Sequence, residues 1–261
     1  MSIAARGWHH FPRDPALAHW IDGIRDAALA TAGDPDLSRR WTRAGGTWFA
    51  GVNALANDAT GRVGSGQVGS GPALAGAAIA FARAQMPAIA GLDRGQVSIC
   101  YPGYPRQDPG ESDAAFRYRH RRDGAHLDGL HPIGPERRRH LTEYHSFILG
   151  LPITDAGPDA APLVVWEGSH RIMGRVLRQC LADVPPGDWG GVDLTDPYQA
   201  ARKQVFETCP RRVLAARPGE ATVLHRFLLH GMAPWSGGRG ARAIVYFRPP
   251  VAQLDARFLM V

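Results

Sequence analysis

The chain has 261 residues, 44% hydrophobic and 21% charged, the balance of an ordinary globular protein long enough for a substantial core. Its 31 Gly and 21 Pro favour strands and turns over a helical bundle, and Cys100, Cys180 and Cys209 form neither a C-x-x-C pair nor a disulfide framework, which fits a reducing cytoplasm. The net charge of +6 gathers in the arginines of 117–122 and 137–139, which read either as a solvated basic face or as attraction for an anionic partner. The N-terminus holds no apolar stretch of signal-peptide length, and the longest apolar run, Ala73 to Ala82, is too short to span a bilayer, so no membrane partner is expected.

Asp14-Pro15 predicts a helix start, a capping carboxylate followed by proline at the first helical position. Leu17, Trp20, Ile21 and Ile24 then give it one apolar face, and Gly33-Asp34-Pro35 ends it. Thr47 to Val52 reads as a short strand or a buried turn. Gly64-Ser65-Gly66-Gln67-Val68-Gly69 fits G-x-G-x-x-G, but a turn-like Asn57 to Arg62 precedes it where a dinucleotide site needs an apolar strand, so it reads as a loop. A helix is predicted from Pro72 to Gln85.

From Gln96 the pattern changes to strands. Gln96 to Tyr101 alternates with period two, and so does Phe116 to Arg119. Tyr144 to Ile153, Leu163 to Trp166, Arg212 to Ala215, Ala221 to Leu224 and Arg242 to Phe247 have strand length and composition. A helical insertion occupies about 171–209, after a turn at Gly168-Ser169-His170. Short strands separated by turn residues, after helices, predict a jelly roll with N-terminal helices packed on one sheet. No linker divides the chain, so we expect a single domain over 1–261, with a helical part at 1–94 and a jelly-roll core at 95–250.

His126-Leu127-Asp128 is the stretch that carries chemistry. On an extended strand the imidazole and the carboxylate project from one face and reach one metal ion. A third ligand would complete a triad of two His and one carboxylate, the set of non-haem Fe(II) oxygenases. His230 in Leu228-Leu229-His230-Gly231 is the candidate, and His225, an odd number of residues away, would face the other way on one strand. Taken alone, His126 and Asp128 also fit an ordinary loop pair, with Asp128 turning into Gly129. Ser169-His170 fits a structural turn, and no G-x-S-x-G elbow supports a serine hydrolase.

In this order, Ala125 to Asp128, the Gly-Ser-His turn, Leu228 to Gly231 and Arg242 to Tyr246 resemble the phytanoyl-CoA dioxygenase family over roughly residues 95–250. The family's proline before Gly-Ser-His is Glu167 here, and Trp235 stands where a polar residue is common. The resemblance implies a double-stranded β-helix. It also implies Fe(II) held by His126, Asp128 and His230, and 2-oxoglutarate whose far carboxylate pairs with an arginine. A guanidinium fork suits a carboxylate, and Arg242, at the start of an apolar strand, is preferred to Arg239 in a glycine loop. The implied reaction is hydroxylation of a small, possibly anionic, organic substrate by O2, releasing succinate and CO2. Few stacking aromatics accompany the arginines, which disfavours nucleic acid. The alternatives are a zinc-dependent hydrolase using the same three residues and a non-catalytic metal-binding jelly roll.

Overall fold

In a computed structural model, which describes residues 2–64 and 70–261, a short helix α1 (Ile3–Arg6) and strand β1 (Trp8–Phe11) precede the first long helix, α2 (Pro15–Ala30). Asp14 caps α2 as the sequence predicts, accepting from the N–H groups of Ala16 and Leu17. Its second oxygen accepts from Ala77 N–H, so one carboxylate holds two helix starts. The chain continues through α3 (Pro35–Trp41), β2 (Thr42–Arg43), β3 (Trp48–Phe49), α4 (Ala77–Gln85), β4 (Gln96–Cys100) and α5 (Asp113–Arg121). Next come β5 (Leu130–Ile133), β6 (Arg138–Leu141), β7 (Phe147–Pro152), β8 (Leu163–Trp166), α6 (Ser169–Leu181) and α7 (Thr195–Thr208). The last strands are β9 (Arg211–Leu214), β10 (Ala221–His225), β11 (His230–Met232) and β12 (Arg242–Phe247).

Among the described residues, seven strands form one sheet in the order β1-β10-β7-β12-β4-β3-β2, and three form a second, β11-β8-β9. Every pairing within them is antiparallel. The period-two pattern sorts the large sheet's side chains. Odd-numbered residues such as Val97, Leu149, Val223 and Val245 pack against Trp20, Ile21 and Ile24 of α2 and Ile79 of α4. Even-numbered residues, Ile148, Leu224 and Tyr246, turn to the other face and meet Leu163 and Val165 of β8. The far side of β8, Val164 and Trp166, is covered by Met173 and Leu177 of α6 and Tyr198 and Val205 of α7. Two facing sheets with helices outside each make the jelly roll that the strand pattern predicts. Each fully buried large side chain contributes about 1.5–3 kcal/mol through lost water contact.

Two expectations change. The first 94 residues are not only helical, since β1, β2 and β3 extend both edges of the large sheet. Phe116 to Arg119 is helix α5 rather than a strand. Ser112 caps that helix by accepting from Ala115 N–H, and the alternation of Phe116 and Tyr118 with arginines is coincidental. The glycine motif at 64–69 falls, apart from Gly64, outside the described residues. Among the described residues no helix is long and apolar enough to cross a membrane.

Candidate metal centre

Strand pairing brings the three predicted ligands together. His230, at the start of β11, sits opposite Val165, an inward residue of β8, so its ring points between the sheets. His126 forms an isolated antiparallel bridge with His230: His126 N–H donates to the His230 carbonyl at 2.8 Å, and His230 N–H returns the bond at 3.2 Å. Directly opposed residues share a face, and Asp128, two further along, shares it too. The expected strand at 126–128 is thus a single bridged residue followed by a turn at Gly129.

Gly231 makes the bridge possible. A Cβ there would lie 2.2 Å from the Asp123 carbonyl oxygen, so only glycine lets the two segments approach. Asp123 is held in turn by Arg211 of β9 through two parallel bonds of 2.7 and 2.8 Å.

One ligand atom from each of His126, Asp128 and His230 lies within 4.8 Å of the other two. His126 Nε2 is 3.3 Å from one Asp128 oxygen, and His230 Nε2 is 3.6 Å from the other. Both rings are oriented alike. His126 Nδ1 donates to the Gly124 carbonyl at 3.0 Å, and His230 Nδ1 donates to the Leu228 carbonyl at 2.9 Å. A carbonyl only accepts, so each Nδ1 carries the proton and each Nε2 offers its lone pair to the centre, the usual arrangement of metal-bound histidines.

The electrostatics centre on one buried carboxylate. Burial opposes the Asp128 charge, but Arg248, 3.5 Å away, and the two histidines hold its carboxyl well below the usual range. Burial pushes His230 down to about 4, so it stays neutral. Burial also disfavours charge on His126, yet Asp128 outweighs it and the pKa rises.

The cluster opens into a cavity of ≈ 420 Å³, within the range of small-molecule sites. Its walls include Trp48, Ser98, Tyr104, Met232, Tyr246 and Arg248. Arg242 is buried on the inward face of β12 and does not itself line the cavity. It donates toward Met232 Sδ at 3.3 Å and Tyr246 Oη at 3.3 Å, two cavity residues. Among the described residues no carboxylate lies within ion-pair distance of it. Arg239 is exposed in its loop. His225 is buried away from the cluster, its ring 5.0 Å from that of His170, whose Ser169 neighbour accepts from Leu229 N–H inside the turn. His131 and His145 contact Glu143, and His140 donates to the Gly190 carbonyl. Sequence reasoning missed Arg248. Its signal was parity, since 242, 246 and 248 share one face of an extended strand.

No known family profile matches the chain, and no curated protein matches it. Solved structures do. The non-heme alpha ketoglutarate dependent carbocyclase SnoK from nogalamycin biosynthesis is similar at TM-score 0.50 and 16% identity, over 96% of this chain and 85% of that one. The epimerase SnoN of the same biosynthesis is similar at TM-score 0.49 and 14% identity, over 96% and 82%. EctD from S. alaskensis with bound Fe is similar at TM-score 0.46 and 15% identity, over 98% and 77%. The likeness to SnoK shows a shared fold. Fold and site together define a jelly roll carrying a cluster of two histidines and one aspartate between its sheets.

Proposed function

We propose that the protein is an Fe(II)- and 2-oxoglutarate-dependent oxygenase of the phytanoyl-CoA dioxygenase kind, acting on a small organic substrate with O2. The observation that carries this reading is the convergence of the two Nε2 lone pairs and the Asp128 carboxylate on one point beside a cavity. Three protein ligands on one side leave the other positions of a metal open. Bound iron with 2-oxoglutarate would supply the oxidising power for an unactivated C–H bond, with succinate and CO2 released.

The chain's own part is to hold and orient. His126, Asp128 and His230 would bind the metal, their rings fixed by the Gly124 and Leu228 carbonyls. Arg242 would take the far carboxylate of 2-oxoglutarate. A guanidinium supplies paired donors for such a carboxylate, and among the described residues no protein carboxylate competes for this one. Met232 lies against Arg242 on the cavity side, and its flexible thioether would yield to the cosubstrate.

The test is succinate formation from 2-oxoglutarate in air. It should require Fe(II) and disappear in His126→Ala and His230→Ala. Cleavage of an ester or amide probe by the Zn(II)-loaded protein, with no succinate formed by the Fe(II)-loaded one, would favour the hydrolase reading, and metal binding with neither activity would favour a non-catalytic protein. Hydroxylation is the outcome that the resemblance implies. SnoK is a carbocyclase, so product masses are read for a gained oxygen atom against the loss of two hydrogens.

A further inference from the structure

The cavity has an end that the metal cluster and Arg242 do not use. Strand register defines it. Arg43 of β2 pairs with Trp48 of β3, Trp48 pairs with Cys100 of β4, and Cys100 pairs with Arg242 of β12. Cross-strand partners project on one face, so these four side chains form a row across the large sheet, a guanidinium at each end. Adjacent strands are spaced by about 4.8 Å, which puts the two arginine backbones about 14 Å apart. Of the two guanidiniums only that of Arg43 lines the cavity, beside the Trp48 indole, so it offers an anion position apart from Arg242.

Arg242 is buried at one end of the row and does not line the cavity, while Arg43, at the other end, is exposed and does line it, its guanidinium 5.8 Å from the Trp41 ring. One Arg43 nitrogen donates to the Thr42 carbonyl at 2.8 Å. Among the described residues no carboxylate lies within ion-pair distance of it. Asp108 feels its charge but is taken up by the N–H groups of Ala44 and Gly45 and by Arg119. The other cavity arginines are also engaged, Arg119 with Glu111 and Arg248 with Asp128. Trp48 is pinned by donating its indole N–H to Ser98 Oγ at 3.0 Å and meets the Tyr104 ring edge-on. The wall beside Arg43 is therefore a fixed aromatic surface.

We infer that the cavity selects an organic anion with a flat apolar body, its body against Trp48 and its anionic group on Arg43. The oxygenase reading adds only which end reacts, the end directed at His126, Asp128 and His230. A guanidinium supplies paired donors for a carboxylate, sulfate or phosphate, and the indole face supplies contact that is indifferent to charge.

The experiment uses protein loaded anaerobically with Fe(II) and saturating 2-oxoglutarate, and two probes of one shape, 1-naphthylacetate and its neutral amide. Dissociation constants are read by calorimetry, and the weak visible band of the iron chelate is recorded in the same samples. The acid should bind about tenfold tighter than the amide, the worth of one charge-assisted contact. In Arg43→Gln that preference should vanish while the amide's affinity holds, and in Trp48→Ala both probes should weaken together. Equal binding of acid and amide by the wild type, no binding of either, or a preference that survives Arg43→Gln would overturn the inference. An absent band with the acid preference intact would remove the oxygenase reading and leave the anion site standing.

Discussion

Arg248 stands 3.5 Å from the Asp128 carboxylate, and its guanidinium is the cation nearest the centre of the candidate metal site. It occupies electrostatically the role that a metal would take. Arg248→Met should therefore destabilise the metal-free protein by about 3 kcal/mol, because Asp128 is left charged and poorly compensated in a buried place. Metal would then repair more. Thermal melts with and without Ni(II), a redox-silent stand-in for iron, should show a larger rise in melting temperature for the variant than for the wild type. Equal rises would contradict the view that Arg248 and the metal stabilise the same carboxylate.

Gly231 is fixed by the chain crossing it. In Gly231→Ala the new Cβ would fall 2.2 Å from the Asp123 carbonyl, so the 123–126 segment must retreat and carry His126 with it. Metal affinity by calorimetry should drop by about tenfold or more, the scale seen when groups that orient a ligand are disturbed. The far-UV circular dichroism should be preserved. Unchanged metal affinity would mean that His126 is not held by this bridge.

His170 and His225 make a pH dependence elsewhere in the molecule. Burial pushes His170 down to about 4 and His225 well below its ordinary value, with the Arg171 and Arg226 charges adding. The unfolded chain protonates these residues near pH 6.5. Between that pH and about 4 the unfolded state binds protons that the folded state refuses. Stability is thus fully present above 6.5 and is lost as pH falls, at about 1.4 kcal/mol per unit for each histidine. Urea denaturation at pH 7.5, 6.0 and 5.0 measures it. His225→Gln should flatten the curve, and an unaltered slope in that variant would rule His225 out as a source.

The jelly roll was legible because its strands carry a buried face. Arg242 to Phe247 and Leu163 to Trp166 appear with the bounds that their side chains predict. The meeting of His126, Asp128 and His230 was legible because His126 and Asp128 share parity and His230 lies in an apolar stretch before glycine. Phe116 to Arg119 misled, since four residues of alternation do not separate a strand from one turn of helix, and the Ser112 cap went unread. β1, β2 and β3 are short and drawn into the sheet by partners far along the chain, so propensity had little to act on. Arg43 escaped for a related reason, since its meaning depends on cross-strand register, which only the assembled sheet provides. Arg248 was readable from its parity with Arg242 and Tyr246 and was overlooked.

Under the proposed function, His126, Asp128 and His230 hold Fe(II) while Arg242 holds 2-oxoglutarate. The most direct measurement is anaerobic titration of the metal-free protein with Fe(II) and 2-oxoglutarate, following the weak visible charge-transfer band of the chelate. The wild type should show a band at one iron per chain, His126→Ala none, and Arg242→Met a band that needs far more 2-oxoglutarate. No band in the wild type, or an Arg242→Met titration that overlays the wild type, would contradict it.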